Sequence, residues 1–409
     1  MLVGCYQKNS DRRHFDMSLS ELNELTRTAG AEIITTLIQG KDQTDRRWYI
    51  GKGKVEELNA LVGELGAHLV IFNDELSPIQ VRNLEVKLDC RIVDRTQLIL
   101  DIFASRARSK EGKLQVELAQ LEYQLPRLTG KGAEMSRLGA GIGTRGPGET
   151  RLETDRRHIR RRIGEIKDHL QEVKRHRKLL RERRKKNEAF QVALVGYTNA
   201  GKSTILNRVS AADALEEDKL FATLDPLSRR VELPGGQTMI ITDTVGFIQD
   251  LPHHLIAAFR STLEEALEAD LILHVVDSSN QDYSIHMEVV EEILEDLGAV
   301  NIPRVLVFNK MDLVQEKPVA SVTSPMLYIS ANRKEDIEGL LQQIEKERVR
   351  LFQGYKLRIP TMRGDLYASV HREAQINKEV LTEDGLFYEM DVRCEELSKI
   401  NPELTEYLQ

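Results

Sequence analysis

The chain has 409 residues, of which 41% are hydrophobic and 30% are charged, and its formal net charge is −7. This length predicts about two to four domains with ordinary hydrophobic cores and charged surfaces. No apolar run approaches the ~20 residues of a membrane span, and the N-terminus lacks a signal-peptide core. Three cysteines (Cys5, Cys90 and Cys394) are far apart and lack metal-ligand spacing. We therefore expect a protein of the reducing cytoplasm without a membrane span, although it could associate with a membrane peripherally. We also expect a monomer.

Residues 1–108 predict a small α/β domain. Strands are expected at 33–37, 69–72 and 91–93, with helices at 55–65 and 78–87. The segment from Trp48 to Gly53 could bind a second nucleotide or touch RNA, but such segments are more often turns with packed aromatic rings. We favour the turn.

Residues 109–187 predict a helical hairpin with two apolar seams. The first seam has heptad spacing, although Pro126 should kink or end its helix; its members are Leu114, Leu118, Leu121, Leu125 and Leu128. A helix over 151–186, ~54 Å long, is expected to begin at a capping box formed by Thr150 and Glu153. It carries the second seam of Ile159, Ile163, Ile166, Leu170, Val173 and Leu180. The two seams indicate an antiparallel pair.

The second helix of this hairpin is strongly basic. From Arg151 to Lys186 the sequence has 16 Lys/Arg and 6 Asp/Glu, so the segment carries +10 and the remaining chain −17. Such a bias predicts a nucleic-acid surface, with candidate RNA contacts at Arg145, Arg156, Arg157, Arg160, Arg161 and Arg162. The alternative is a solvated coiled-coil face whose seam forms a homodimer. Solvated faces usually mix charge signs, so we favour RNA contact.

The loop of the hairpin, residues 130–149, is rich in glycine. Within it Gly141-x-Gly143-x-x-Gly146 imitates a dinucleotide fingerprint, but no strand precedes it and Pro147 follows, so we reject that interpretation. The loop is either a flexible linker or a probe that orders against RNA. Its place at the tip of a basic hairpin favours the probe.

Residues 188–350 contain a phosphate-loop motif between a predicted strand and a predicted helix. The motif follows the apolar run 192–195 and reads Gly196, Tyr197, Thr198, Asn199, Ala200, Gly201, Lys202, Ser203, with Thr204 beginning the helix. Glycines let the backbone N–H groups point at phosphates, and the helix N-terminus adds a positive dipole end. Lys202 should reach the β- and γ-phosphates, and the Ser203 hydroxyl should bind Mg²⁺.

Two further segments are expected to complete the phosphate side. Asp243, which begins the run Asp243, Thr244, Val245 and Gly246, should hold Mg²⁺ through water, and the Gly246 N–H should meet the γ-phosphate. Between the two motifs lie Phe221, Ala222 and Thr223, where Thr223 is the candidate switch threonine that closes on Mg²⁺. We therefore predict catalytic roles for Lys202, Thr223 and Gly246.

Two segments near the end of this region predict a guanine pocket. The first is the run Asn309, Lys310, Met311 and Asp312. The Asp312 carboxylate can accept two hydrogen bonds, from the N1–H and the exocyclic amine of guanine, and adenine does not present this pair of donors. Backbone contacts to the guanine oxygen are expected from Ser330, Ala331 and Asn332. Five ordered motifs at strand ends predict a P-loop GTPase domain with a mostly parallel sheet and helices on both faces, binding GTP or GDP with Mg²⁺.

These motifs resemble the HflX family of GTPases related to translation factors. The likeness is carried by the phosphate loop, the 221–225 and 243–247 runs, and more closely by 113–121 and by 141–157, which begins Gly-Ile-Gly-Thr-Arg-Gly-Pro-Gly-Glu-Thr. It covers roughly residues 25 to 345. The resemblance implies the large ribosomal subunit and its RNA as partner, with splitting or rescue of stalled or idle ribosomes.

Phe247 stands where many GTPases place a water-orienting glutamine. A phenylalanine has no hydrogen-bonding group, so basal hydrolysis should be slow and a partner should stimulate it by on the order of 10³–10⁵. Residues 355–409 predict a small α+β domain, with a hairpin turn at 383–385 and no assigned chemistry. Two other classes stay open: a signalling switch that binds a protein through its coiled coil, and an RNA-remodelling enzyme with ATP hydrolysis in the N-terminal region.

Overall fold

The computed structural model of the chain describes residues 1–7, 12–128, 147–186, 190–210, 220–250, 267–320, 324–394 and 397–409, with side chains described outside 147–152, 176–186 and 399. Within these residues three sheets follow one another along the chain. The first two are parallel or mostly parallel and the third is antiparallel. The architecture is therefore the multidomain α/β class with a C-terminal α+β unit that the sequence predicts.

The N-terminal region is a four-stranded parallel sheet with strand order β2-β1-β3-β4. Its strands are β1 Leu2–Gln7, β2 Thr36–Lys41, β3 Leu69–Phe72 and β4 Arg91–Asp94. Its helices are α1 Arg12–Thr28, α2 Lys52–Leu65, α3 Pro78–Leu88 and α4 Arg95–Arg106. Alternate residues of β3 pack in different cores, Ile71 with Leu2 and Phe72 with Val3, so both faces of the sheet are buried.

The structure corrects one expectation about this region, adds elements that were not predicted, and agrees with the turn expected near Trp48. The strand predicted at 33–37 lies instead at Thr36–Lys41. It pairs in parallel with β1, and the pairing begins where Leu2 lies opposite Thr36. The strand β1 and the helices α1 and α4 were not predicted from the sequence. The segment around Trp48 is a turn, in which the buried Tyr49 ring meets Phe72 edge-on at 6.1 Å between centroids.

Two helices follow, α5 Lys110–Arg127 and α6 Pro147–Lys186. They pack together through ion pairs from Arg162 to Glu117 (2.7 Å) and from Lys167 to Glu122 (2.8 Å), while Ile166 is fully buried. The predicted capping box is wrong, since α6 begins at Pro147 and Thr150 lies inside it. Proline suits a first helical turn because its missing N–H would have no intrahelical partner there.

The third region is a six-stranded sheet of order β10-β9-β8-β5-β7-β6, parallel except for β6. Its strands are β5 Phe190–Gly196, β6 Leu227–Glu232, β7 Thr238–Asp243, β8 Leu271–Asp277, β9 Arg304–Asn309 and β10 Met326–Tyr328. The associated helices are α7 Lys202–Val209, α8 Tyr283–Leu297 and α9 Lys334–Arg350. Alternate residues of β5, such as Leu194 and Val195, enter different cores on the two faces.

The C-terminal region is a three-stranded antiparallel sheet with order β11-β13-β12. Its strands are β11 Gln353–Pro360, β12 Gln375–Leu381 and β13 Phe387–Cys394, with α10 Gly364–Glu373 between the first two. The hairpin turns at Gly385, whose φ of +69° favours glycine. A short helix, α11 Leu397–Ile400, and a 3₁₀ turn, Pro402–Tyr407, close the chain. The predicted hairpin is confirmed.

Candidate functional site

The phosphate loop joins the end of β5 to the start of α7, as predicted. Gly201 has φ +92°, and a Cβ there would lie 2.2 Å from the Asn309 side-chain nitrogen. A Cβ on Gly196 would lie 2.2 Å from the Val275 carbonyl oxygen. Both positions therefore require glycine, because the loop curls tightly against the ends of β8 and β9.

Lys202 is held inside this loop. Its ammonium donates to the carbonyl oxygens of Gly196 at 3.0 Å and Tyr197 at 2.7 Å. Burial lowers the pKa of Lys202 to about 8, because the charged form loses its hydration. The loop carbonyls thus hold the lysine at the position from which it can turn towards an incoming phosphate.

Three oxygen-bearing side chains meet at the other side of the loop. The Ser203 hydroxyl donates to Asp243 Oδ2 at 2.6 Å, the Thr223 hydroxyl donates to the same oxygen at 2.8 Å, and the two hydroxyls are 2.8 Å apart. They come from α7, from the 220–227 segment and from the end of β7. These are the three residues that the sequence predicts around Mg²⁺.

The donor set fits a magnesium ion. Among the described residues, Asp243 Oδ1 is buried and has no hydrogen-bond partner. Burial raises the pKa of the Asp243 carboxyl, although Lys202 acts in the opposite direction. Mg²⁺ prefers oxygen ligands and is usually held by one or two carboxylates together with hydroxyls, water and phosphate oxygens. A cation here would supply the missing partner of Oδ1.

The glycine of the 243–246 run lies directly on the phosphate loop. A Cβ on Gly246 would be 2.8 Å from Thr198 Cα, and Phe247 donates its backbone N–H to the Gly196 carbonyl at 3.2 Å. The Phe247 side chain is 2% exposed and packs with Val195. It points into the core of the domain and cannot orient a water molecule.

The predicted guanine residues are tied to the phosphate loop through Asn309. Its amide nitrogen donates to the Ala200 carbonyl at 2.9 Å, and its amide oxygen accepts from the Ala331 N–H at 3.0 Å. Asp312 is exposed, and a hydrogen bond from Ser330 is the main cause that lowers the pKa of its carboxyl. Lys310 pairs with Asp277 at 2.7 Å. The 309–312 and 330–332 segments are therefore adjacent, as a base pocket requires.

One cavity of about 360 Å³ collects most of the phosphate-side residues. The predicted residues that line it are Thr198, Asn199, Gly201, Lys202, Ser203, Thr204, Phe221, Ala222, Thr223, Thr244 and Gly246. Two further lining residues, Arg106 and Arg108, come from the junction of α4 and α5. Neither was predicted from the sequence, because an isolated Arg-x-Arg carries no distinctive signal in a chain with 58 Lys and Arg residues.

The N-terminal region also contacts the phosphate loop, through the side chain of Tyr197. The Tyr197 hydroxyl donates to Glu21 at 2.6 Å and accepts from the Gln249 N–H at 2.8 Å. Glu21 forms a buried ion pair with Arg95, and Arg95 donates to the Gln249 carbonyl at 3.1 Å. The Tyr197 ring stacks on His286 with centroids 3.7 Å apart. None of these partners was predicted.

The candidate RNA residues lie away from this cavity on α6. Arg157, Arg160 and Arg161 are exposed, whereas Arg156 and Arg162 are half-buried. Arg162 is paired with Glu117, and Arg161 with Glu165 at 3.1 Å. Arg145 and most of the glycine-rich loop lie outside the described residues, and none of the described helices is long and apolar enough to cross a membrane.

The phosphate loop, the 243–246 turn and the base segments, all at carboxyl ends of strands in one mostly parallel sheet, define a P-loop GTPase. Family models agree: residues 16–104 match a "GTP-binding GTPase N-terminal" model, 106–184 a "GTP-binding GTPase Middle Region" and 191–310 a "50S ribosome-binding GTPase". The chain is 50% identical to the GTPase HflX of Alkalihalophilus pseudofirmus over 100% of its own length and 96% of the relative's. It belongs to the HflX family of GTPases.

Two other matches accompany this one. The GTPase HflX of Caldanaerobacter subterraneus subsp. tengcongensis is 53% identical over 92% of this chain and 88% of that protein. A solved structure of a GTP-binding protein from the archaeon Sulfolobus solfataricus, in complex with GDP, has a TM-score of 0.45 and 21% identity, covering 84% of this chain and 100% of that one.

Proposed function

We propose that this GTPase binds GTP with Mg²⁺ in the cavity beside Lys202 and acts in the cytoplasm on the large ribosomal subunit, splitting or rescuing stalled or idle ribosomes. The convergence of Ser203, Thr223 and Asp243 on a single point is the observation that supports the nucleotide placement. Ser203, Thr223 and Asp243 would hold the ion, and its positive charge would stabilise negative charge in the transition state.

The protein's own groups have separate tasks in this proposal. Lys202 would leave the two loop carbonyls and bind the β- and γ-phosphates, and Gly246 would donate its N–H to the γ-phosphate. Asp312 would accept from the guanine edge, with Ser330, Ala331 and Asn332 at the guanine oxygen. The 220–227 segment, which carries Thr223, would loosen once the γ-phosphate has left.

Ribosome binding is supported by the helical region and by the description of the matching family model. Arg157, Arg160 and Arg161 present exposed guanidinium groups on α6, and guanidinium groups bind phosphate oxygens with bidentate geometry. Ile166 of the apolar seam is buried within the chain, where α6 packs on α5. That burial removes the driving force for using this part of the seam as a dimer interface.

The proposal is tested by GTP turnover with and without purified large ribosomal subunits, using Lys202→Ala as the blank. Phe247 cannot position water, so we expect acceleration of about 10²-fold or more when the subunit is present. Whole ribosomes incubated with the protein and GTP should also separate into subunits on a density gradient. Unchanged turnover at saturating subunit concentration would contradict the ribosome as the stimulating partner.

A further inference from the structure

Two arginines from the N-terminal half of the chain line the same cavity as Lys202, Ser203 and Thr223. Arg106 ends α4, and Arg108 lies two residues further, just before α5. Arg108 is exposed, so its long side chain can extend from the backbone into solvent at the cavity rim. The positive charge around this cavity therefore comes both from Lys202 of the GTPase region and from two arginines of the α4–α5 junction.

Asp225 fastens this junction to the segment that carries Thr223. Its carboxylate accepts the backbone N–H groups of Arg108 at 2.9 Å and Ser109 at 2.7 Å, and it also accepts the Ser109 hydroxyl. Ser109 in turn caps α5, accepting from the Gly112 N–H at 2.8 Å. A Cβ on Gly112 would lie 2.3 Å from Asp225 Oδ1, so the approach is close enough to require glycine.

A second contact holds the same segment on the other side of Thr223. The Phe221 ring meets Phe103 of α4 edge-on, with centroids 4.6 Å apart, and Phe221 is 2% exposed. Phe221 and Leu224 belong to a hydrophobic core that they share with Phe103 and other residues of the N-terminal region. Residues before and after Thr223 are thus anchored to the α4–α5 junction.

The charges around the cavity suit a polyanion. Both Asp225 oxygens accept hydrogen bonds from the backbone and Ser109, and the Asp243 carboxylate faces the hydroxyls of Ser203 and Thr223. Among the described residues that line the cavity, the cations Arg106, Arg108 and Lys202 outnumber the one acid, Asp225. A guanidinium group placed against a transferring phosphoryl group stabilises the charge that spreads over its oxygens.

We propose that Arg108 contacts the γ-phosphate of bound GTP and acts as a catalytic arginine supplied within the same chain, and that Asp225 is the positioning residue that places it beside Thr223. In the reaction a water oxygen bonds to the γ-phosphorus while the bond from that phosphorus to the β–γ bridging oxygen breaks. GDP leaves with the bridging oxygen, and the water proton passes to the inorganic phosphate. Arg108 neutralises charge on the γ-phosphate oxygens during this step.

This inference rests on the proposed GTP placement and is independent of ribosome binding, so it is tested on the full chain without ribosomes. Basal turnover and the affinities for GTP and GDP are measured for Arg108→Ala, Arg108→Lys and Arg91→Ala, an exposed arginine on β4. We expect Arg108→Ala to lower kcat by roughly tenfold or more and to reduce the ratio of GTP to GDP affinity. Arg108→Lys should recover part of kcat, and Arg91→Ala should match wild type.

The role of Asp225 is tested by combining Arg108→Ala with Asp225→Asn, which keeps the side-chain shape. Asp225→Asn should lower kcat in the same direction, and the double variant should be no slower than the slower single variant. A wild-type kcat together with an unchanged GTP-to-GDP affinity ratio in Arg108→Ala would overturn the catalytic assignment. Multiplicative losses in the double variant would overturn the positioning role. Wild-type GTP affinity in Lys202→Ala would instead show that GTP binds elsewhere.

Discussion

Replacing Tyr197 with phenylalanine removes one hydroxyl at the contact between the phosphate loop and the N-terminal region. The ring stack on His286 can persist, because phenylalanine keeps the ring that lies 3.7 Å from the imidazole. Two hydrogen bonds are lost, the one donated to Glu21 at 2.6 Å and the one accepted from the Gln249 N–H at 2.8 Å. The substitution therefore isolates the polar part of the contact.

The size of the effect follows from burial. The side chains of Glu21 and Arg95 are 8% and 4% exposed, so water cannot replace the lost hydroxyl easily. A hydrogen bond to a charged group contributes about 1.5–3 kcal/mol, and a buried N–H left without a partner costs about 1–3 kcal/mol. We expect Tyr197→Phe to lower the free energy of local opening around Gln249 by about 2.5–6 kcal/mol.

Amide hydrogen exchange of the peptide that contains Gln249 measures this directly, since that N–H donates to the Tyr197 hydroxyl. Each 1.4 kcal/mol corresponds to about a tenfold loss of protection. Tyr283→Phe is the matched control, because its hydroxyl lies 3.3 Å from Val319 in an exposed position. Equal protection of the Gln249 peptide in wild type and Tyr197→Phe would refute the reasoning.

Three further predictions concern the ligands. Asp312→Asn should lose guanine preference and gain xanthine nucleotide, because the amide presents a donor to the C2 carbonyl; competition binding measures it. Without nucleotide the pKa of Lys202 is about 8, and the negative charge of a bound triphosphate should raise that pKa. Above pH ~8, GTP binding should therefore take up a proton, and GTP affinity should fall as the pH rises. Replacing Arg157, Arg160 and Arg161 with glutamate should weaken ribosome binding. It should also reduce the slope of log affinity against log salt concentration by about 0.7–0.9 for each lost phosphate contact.

Each of these has its own control. Unchanged base preference in Asp312→Asn would place guanine elsewhere. Lys202→Arg keeps its charge at all accessible pH values, so its GTP affinity should show no fall above pH ~8; the same fall in both proteins would exclude Lys202 as the titrating group. The control for α6 replaces Arg46, Arg91 and Arg372 with glutamate. These arginines are exposed and lie outside α6, so the control makes the same change in net charge. An equal loss of ribosome binding in that variant would leave α6 without a special role.

The nucleotide side of the molecule could be predicted from short contiguous segments. The phosphate loop, the 243–246 run and the 309–312 run each carry their residues at fixed spacing after an apolar strand. Parallel strands bring their carboxyl ends to one edge of a sheet, so the order of motifs alone predicts that they meet. Ser203 and Asp243 are 40 positions apart, yet the hydroxyl and carboxylate lie 2.6 Å from each other.

The contacts between regions could not be predicted in this way. Tyr197 and Glu21 are separated by 176 positions, and Ser109 and Asp225 by 116. Neither pair belongs to a periodic pattern, and the motifs that contain Tyr197 and Asp225 do not indicate Glu21 or Ser109 as their partners. Only the tertiary structure decides such pairs, because their hydrogen bonds depend on how whole helices and sheets are placed rather than on local backbone preference. The same holds for Arg108, whose place at the cavity is set by the docking of α5 on the segment that follows Thr223.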